Sequence, residues 1–274
     1  MITAVVLLVA SQLPALGAGG LLHPARHPLT VVRPPACADA TFVGDGLTLS
    51  GWRCDAPSKP RGTIVYLHGI ADNRGSARGT IERFGARGFD VIAYDSRAHG
   101  ESPGEACTFG FYEKRDLHRV LDAARPGPIV LLGTSLGAAV ALQEAAGDPR
   151  VSAVIAAETF SDLRTVASER APFFFTRGVI DRAFLLAERE AHFRVDDVSP
   201  EAAARRITVP VLLIHGASDG DTPPDHSRRV LAALRGPSRL ILVPGAGHNG
   251  SLTPETWTEI ERWLDEVVPG PPGA

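Results

Sequence analysis

Three residue types that can cooperate in acyl transfer, a serine, an acid and a histidine, occur here in suggestive settings. The form G-x-S-x-G occurs at Gly133-Thr134-Ser135-Leu136-Gly137 and again at Gly216-Ala217-Ser218-Asp219-Gly220. The motif alone therefore does not choose between them. A serine hydroxyl is a poor nucleophile at neutral pH and needs a base beside it and a sharp, exposed seat. Around Ser135, the apolar run Ile129-Val130-Leu131-Leu132 precedes the motif and the small-residue run Ala138-Ala139-Val140-Ala141 follows it. That context reads as strand, tight turn and helix, with Gly133 and Gly137 leaving room for close strand–helix packing. Ser218 also follows a strand-like run, but Thr222-Pro223-Pro224 comes after it, and only the crowded Asp221 or Asp225 would serve it as acid before His248. Ser135 is the candidate nucleophile.

Of nine histidines, His248 stands out, in Pro244-Gly245-Ala246-Gly247-His248 directly after the last apolar strand-like run. A loop leaving the same sheet edge as Ser135 can deliver its imidazole as general base. His215 ends a strand and reads as packed; His118, His192 and His226 fall on helical stretches and are expected to be exposed. The acid must hold the imidazole in one tautomer and stabilise its charged form. Asp219 follows the run Val211 to His215 by a short turn; Asp221 lies two residues away, and spacing leaves both open. Asp225 should lie within the following helix and point away. Two backbone N–H groups are needed for the developing oxyanion. Those of Leu136 and of Ile70, in His68-Gly69-Ile70, are assigned, with His68 shaping the loop. No histidine–carboxylate set has metal-ligand spacing, so no metal and no cofactor is expected.

These groups need a scaffold that brings distant loops to one edge. Thr41 to Val43 and Leu47 to Arg53 flank Gly44-Asp45-Gly46, an antiparallel hairpin signal. From Thr63 to Leu67 onward, short apolar runs alternate with helical patterns: strands at Asp90–Tyr94, Ile129–Leu132, Val151–Ala157, Val211–Ile214 and Arg239–Val243. The helical stretches between and after them are Ser76–Arg87, Tyr112–Ala124, Leu136–Ala146, Pro224–Leu234 and Pro254–Val268. Such alternation implies right-handed crossovers onto a mostly parallel sheet with helices on both faces. Between residues 158 and 209 it pauses for helical patterning that includes Phe173-Phe174-Phe175, the mark of a helical cap over the sheet's C-terminal edge. The domain is thus expected over residues 40–268, after a Pro-rich connector at 23–39 and before a flexible tail at 269–274.

At 274 residues, with 44% hydrophobic and 22% charged side chains, the chain can bury a large core. A formal net charge of −3 with scattered arginines gives no basic stripe, so no nucleic-acid partner is expected. Residues 1–22 carry no charge. A membrane anchor is the first reading of that run, ahead of a signal peptide, with small residues near Ala15, Gly17 and Ala18, and of a buried helix. Pro14 and the glycines weaken a spanning helix, and no basic residue opens the run as a signal peptide would require. The body is therefore expected to be membrane-anchored or exported, with Arg26 and Arg33 favouring a cytoplasmic side if anchored. Cys37 and Cys54 face one another across the hairpin closely enough for a disulfide, but two free thiols are the reading adopted.

In order along the chain, His68-Gly69, Asp95-Ser96-Arg97-Ala98-His99-Gly100-Glu101-Ser102, Gly-Thr-Ser135-Leu-Gly, His215-Gly-x-x-Asp219 and Gly-x-Gly-His248 resemble the α/β-hydrolase superfamily. The likeness covers residues 40 to 268 and is nearest to the serine-aminopeptidase-like and Bem46-like branches. It implies an eight-stranded, mostly parallel sheet and a Ser135, Asp219, His248 triad. Ala98 departs from the glycine that many relatives carry there. Members of the Bem46-like branch often have an N-terminal membrane segment. The expected activity is hydrolysis of a carboxylic ester or thioester, on a small-molecule or lipid-like acyl substrate, through an acyl-enzyme on Ser135. The alternatives are a peptidase, with Glu158, Glu169 or Glu188 to hold an amine, and a hydrolase-fold protein that only binds.

Overall fold

The computed structural model describes residues 2–57 and 59–269. The tail beyond Pro269 lies outside them. Helix α1 (Ile2–Leu22) opens the chain, followed by an antiparallel hairpin, β1 (Cys37–Val43) and β2 (Thr48–Cys54). Then β3 (Thr63–Leu67), α2 (Arg78–Gly85), β4 (Asp90–Tyr94), α3 (Glu113–Val120), β5 (Ile129–Thr134), α4 (Leu136–Ala145) and β6 (Val151–Ala157) alternate. Between β6 and the next strand come α5 (Leu163–Glu169), α6 (Arg177–Ala191) and α7 (Pro200–Ala204). The chain closes with β7 (Val211–Gly216), α8 (Asp225–Ala233), β8 (Ser238–Val243) and α9 (Pro254–Val267).

The eight strands form one sheet in the order β1-β2-β4-β3-β5-β6-β7-β8, parallel from β4 to β8. Strands β3 to β7 are buried on both faces, which is why their sequences read as continuous apolar runs. Alternation within each run still sorts the faces. Ile64, Val91, Val130, Leu132 and Ile155 pack with Trp257, Ile260 and Leu264 of α9. Val65, Leu67, Ile92, Leu131 and Val154 pack with the alanines and Leu142 of α4.

The hairpin register pairs Cys37 with Cys54, and the two form a disulfide. This corrects the free-thiol expectation: strand pairing begins at Cys37, earlier than the apolar residues alone mark it, and sets the two cysteines face to face.

The membrane-anchored or exported placement expected from residues 1–22 is also corrected. Among the described residues no helix is long and apolar enough to cross a membrane. Instead, the second half of α1 is built into the protein. Ala18 and Leu22 are buried in the core, and the helix runs against α6. The Leu22 carbonyl accepts from the Cys107 N–H. His23 bonds the Glu105 carbonyl and the Glu190 carboxylate, and Arg26 donates to the Ser102 carbonyl. An uncharged run looks the same whether lipid or protein covers it; here Ala18 and Leu22 are covered by the core, and the helix lies against α6.

Candidate active site

Ser135 occupies the one-residue turn between β5 and α4 at φ 49°, ψ −111°, a conformation that L-residues adopt only under strain. The glycines around it permit that turn. A Cβ on Gly133 would lie 2.3 Å from the Gly137 carbonyl carbon, and one on Gly137 would lie 2.1 Å from the Leu67 oxygen. The Ser135 N–H is tied to the Ala157 carbonyl at 2.8 Å, so neighbouring β6 holds the turn in place.

The histidine and acid arrive on the loops after β8 and β7. Ser135 Oγ donates to His248 Nε2 over 3.1 Å, and His248 Nδ1 donates to Asp219 Oδ2 at 2.7 Å. Asp219 is itself fixed: its Oδ1 accepts from the N–H groups of Asp221 and Thr222. His215, fully buried, sits with Nε2 at 3.2 Å from Asp219 Oδ2 and at 2.8 Å from the Thr222 carbonyl; Ser227 Oγ donates to its Nδ1. Burial pushes the Asp219 carboxyl up, but the Thr222 N–H and the His248 imidazole outweigh it and hold it below the usual carboxylate range. Burial also lowers the pKa of His215, keeping that ring neutral. The two acids that spacing left open thus separate: Asp219 meets the imidazole, whereas Asp221 is exposed at the rim of the polar cavity beside it. Asp225 is exposed and pairs with Arg228. Ser218, centre of the second motif, is exposed in the turn, its N–H bonded to the Ala246 carbonyl.

Leu136 is the first residue of α4, so its N–H has no carbonyl within the helix to bond. The loop after β3 passes close by, since a Cβ on Gly69 would touch Ser135 Cβ at 3.7 Å, and Ile70 lines both cavities that open at Ser135. His68 is buried beneath that loop, accepting from the Ser96 N–H and donating to the Gly69 carbonyl, clear of the serine.

One cavity, of about 360 Å³, is apolar and lined by Leu136, Phe160, Leu163, Val166, Phe175 and Phe184, with part of α1. Of the three consecutive phenylalanines only Phe175 contributes; Phe173 is fully exposed and Phe174 half so. The other cavity, of about 840 Å³, is polar, with Asp72, Glu169, Arg170, Asp221 and Asn249 around it.

Two residues have roles that sequence patterning did not reveal. Glu158, first residue after β6, is buried at φ 58° and accepts from the N–H groups of Asn249 (2.6 Å) and Ser251 (3.0 Å), bracing the loop that carries His248. Its place just past a strand's C-terminal end was the available signal. His226, expected to be exposed, is buried: its Nδ1 accepts from Ser161, and its Nε2 donates to Glu169 on α5. A helical pattern alone did not say that α8 turns this residue toward α5. Glu188 lines neither cavity and accepts from the Val195 N–H.

Among the described residues, only His118, Glu144 and Asp148 gather three groups able to hold a metal ion. The Arg150 guanidinium already bonds both oxygens of Asp148, so a cation's place there is taken by a side chain.

A mostly parallel eight-stranded sheet, a strained serine between strand and helix, and an acid and a histidine on the loops after the last two strands define an α/β-hydrolase. Residues 64–263 match the Alpha/beta hydrolase family, and the chain belongs to it. YqkD of Bacillus subtilis is 30% identical over 238 residues, which span 81% of this chain and 77% of YqkD. Among solved structures, the esterase Pf2001 of Pyrococcus furiosus superposes with a TM-score of 0.71 at 21% identity, over 90% of this chain and 98% of that one. The acylaminoacyl peptidase of Pyrococcus horikoshii does so at 0.69 and 17% identity, over 87% of this chain and 42% of the longer peptidase. At such identities the two structures share the fold, and fold alone does not define substrate.

Proposed function

We propose that this protein is a serine hydrolase that cleaves a carboxylic ester or thioester through an acyl-enzyme on Ser135. The observation that carries the reading is the unbroken chain from Ser135 Oγ through His248 to Asp219, at the mouth of an apolar cavity. Ser135 Oγ attacks the carbonyl carbon while His248 Nε2 takes its proton. The oxyanion develops toward the N–H groups of Leu136 and Ile70. Collapse expels the alcohol or thiol, which leaves with the proton held by His248. Water then enters, gives a proton to His248 and attacks the acyl carbon; collapse releases the acid and returns the proton to Ser135. Asp219 holds the imidazole in the tautomer with hydrogen on Nδ1 and steadies its positive charge. The helices of residues 158–209 serve as a cap that encloses the acyl group, and the polar cavity receives the leaving group.

Cleavage of an amide or peptide bond is a second reading. It draws on the carboxylates of Asp72, Glu169 and Asp221 around the polar cavity, which suit a cationic group. A panel of p-nitrophenyl esters run beside aminoacyl anilides decides between the two. Ser135→Ala is expected to lower kcat on the best substrate at least a thousandfold and to abolish labelling by a fluorophosphonate probe. Esterase activity that survives the substitution intact would overturn the proposal. A wild-type protein that neither reacts with the probe nor turns over any substrate would instead be a hydrolase-fold binding protein.

A further inference from the structure

The apolar cavity has an unusual wall. Alongside the cap residues it is lined by Leu16, Gly17, Gly20 and Leu21, one face of α1. This helix reaches the cavity because it lies directly on α6. A Cβ on Gly17 would sit 2.9 Å from Ala183 Cβ and 3.0 Å from Phe175 Cε2. One turn further on the situation reverses, since a Cβ built on Gly20 meets no atom within 4 Å. Gly17 brings the helix close, and Gly20, itself exposed, leaves open space at the rim of the cavity.

We infer that α1 sets the length of acyl chain the protein accepts, and that Gly20 keeps the channel open to a straight medium-length chain. This rests on the hydrolase reading above. A methylene takes about the space of a water molecule, roughly 30 Å³, and side chains fill protein interiors to about three-quarters. By that measure a cavity of about 360 Å³ has room for a medium-length chain. No charged group need accompany such a chain, because Arg170, the one charged side chain among the described residues of this lining, is engaged with the Asp221 carbonyl and Thr222.

Gly19 provides an internal control. It lies on the same helix, and a Cβ there also meets nothing within 4 Å, but it does not line the cavity. Both Gly→Leu changes improve helix propensity, so neither should impair folding. With p-nitrophenyl acetate, butyrate, octanoate and decanoate, the wild type should prefer the two longer esters. Gly20→Leu should lower the decanoate-to-acetate ratio of kcat/KM at least tenfold, and Gly19→Leu should leave that ratio within about twofold of the wild type. An unaltered chain-length profile in Gly20→Leu, or an equal loss on every ester, overturns the inference while Ser135-dependent turnover leaves the hydrolase reading standing. Calorimetric titration of Ser135→Ala with decanoate examines the channel without turnover. Binding that Gly20→Leu weakens at least fivefold and Gly19→Leu does not supports the inference; binding indifferent to Gly20→Leu, or none at all, refutes it. If no ester is turned over, the hydrolase reading fails and the titration alone decides the channel.

Discussion

At Glu158 the backbone takes a left-handed conformation that costs a side-chain-bearing residue on the order of 1–2 kcal/mol. What it gains is a carboxylate under the His248 loop, bonded to two of its N–H groups. Removing an acceptor from a buried N–H costs about 1–3 kcal/mol, and here that cost should appear as a displaced imidazole. Glu158→Ala is expected to lower kcat on the best ester ten- to a hundredfold, about 1.4–2.7 kcal/mol, with KM changing by less than threefold. An equal rise in KM would assign Glu158 to substrate binding instead. The Ser135 turn was readable in the sequence because glycines, a preceding strand and a small-residue helix all bear on one residue. Spacing alone did not separate Asp219 from Asp221, since both lie in the same turn; only the likeness of His215-Gly-x-x-Asp219 to the family favoured Asp219. Ala98, where relatives carry glycine, stands at φ 62°, which accounts for that preference without touching the site.

Between elements, the pairing of α3 with α4 is electrostatic as well as apolar. His118 on α3 approaches Glu144 on α4 and Asp148 just beyond it at 2.9 and 3.0 Å. Burial pushes the Glu144 carboxyl up to about 7, against the lowering effect of His118. In the window from 4.5 to about 7 the folded protein holds this proton and the unfolded chain does not, so this group's contribution to stability falls as pH rises through that range. Glu144→Gln should therefore raise stability at pH 8 by on the order of 1–2 kcal/mol and give no gain at pH 4.5. Urea midpoints at the two pH values test this, and an absent gain at pH 8 would show that the charged form is well accommodated. Strands and the larger helices were legible because burial on both faces leaves unmistakable apolar runs. The direction of His226 was not, since one residue on a helix carries no record of the element its face will meet.

Across the whole molecule, the hairpin is the outer edge of the sheet, separated from β5 and Ser135 by β4 and β3. Its disulfide closes a short loop across a sequence separation of 17 residues, and a bond of that span stabilises by about 3 kcal/mol at most. Replacing both Cys37 and Cys54 with serine should lower the unfolding free energy by up to that amount, about 3 kcal/mol. Turnover per folded molecule should stay within about twofold well below the melting temperature. A loss of turnover in a still-folded variant would mean that the sheet transmits strain from its edge to the Ser135 turn. The cross-strand pair depended on where strand pairing begins, which composition does not mark.

The docking of α1 also has a consequence for synthesis. The α1 segment leaves the ribosome before α6, which follows roughly 150 residues, or about eight to thirty seconds, later. Until then, the face of α1 that packs on α6 in the folded protein lacks that neighbour. Slowing translation just ahead of α6 would lengthen that wait, and demand for a chaperone should rise with it.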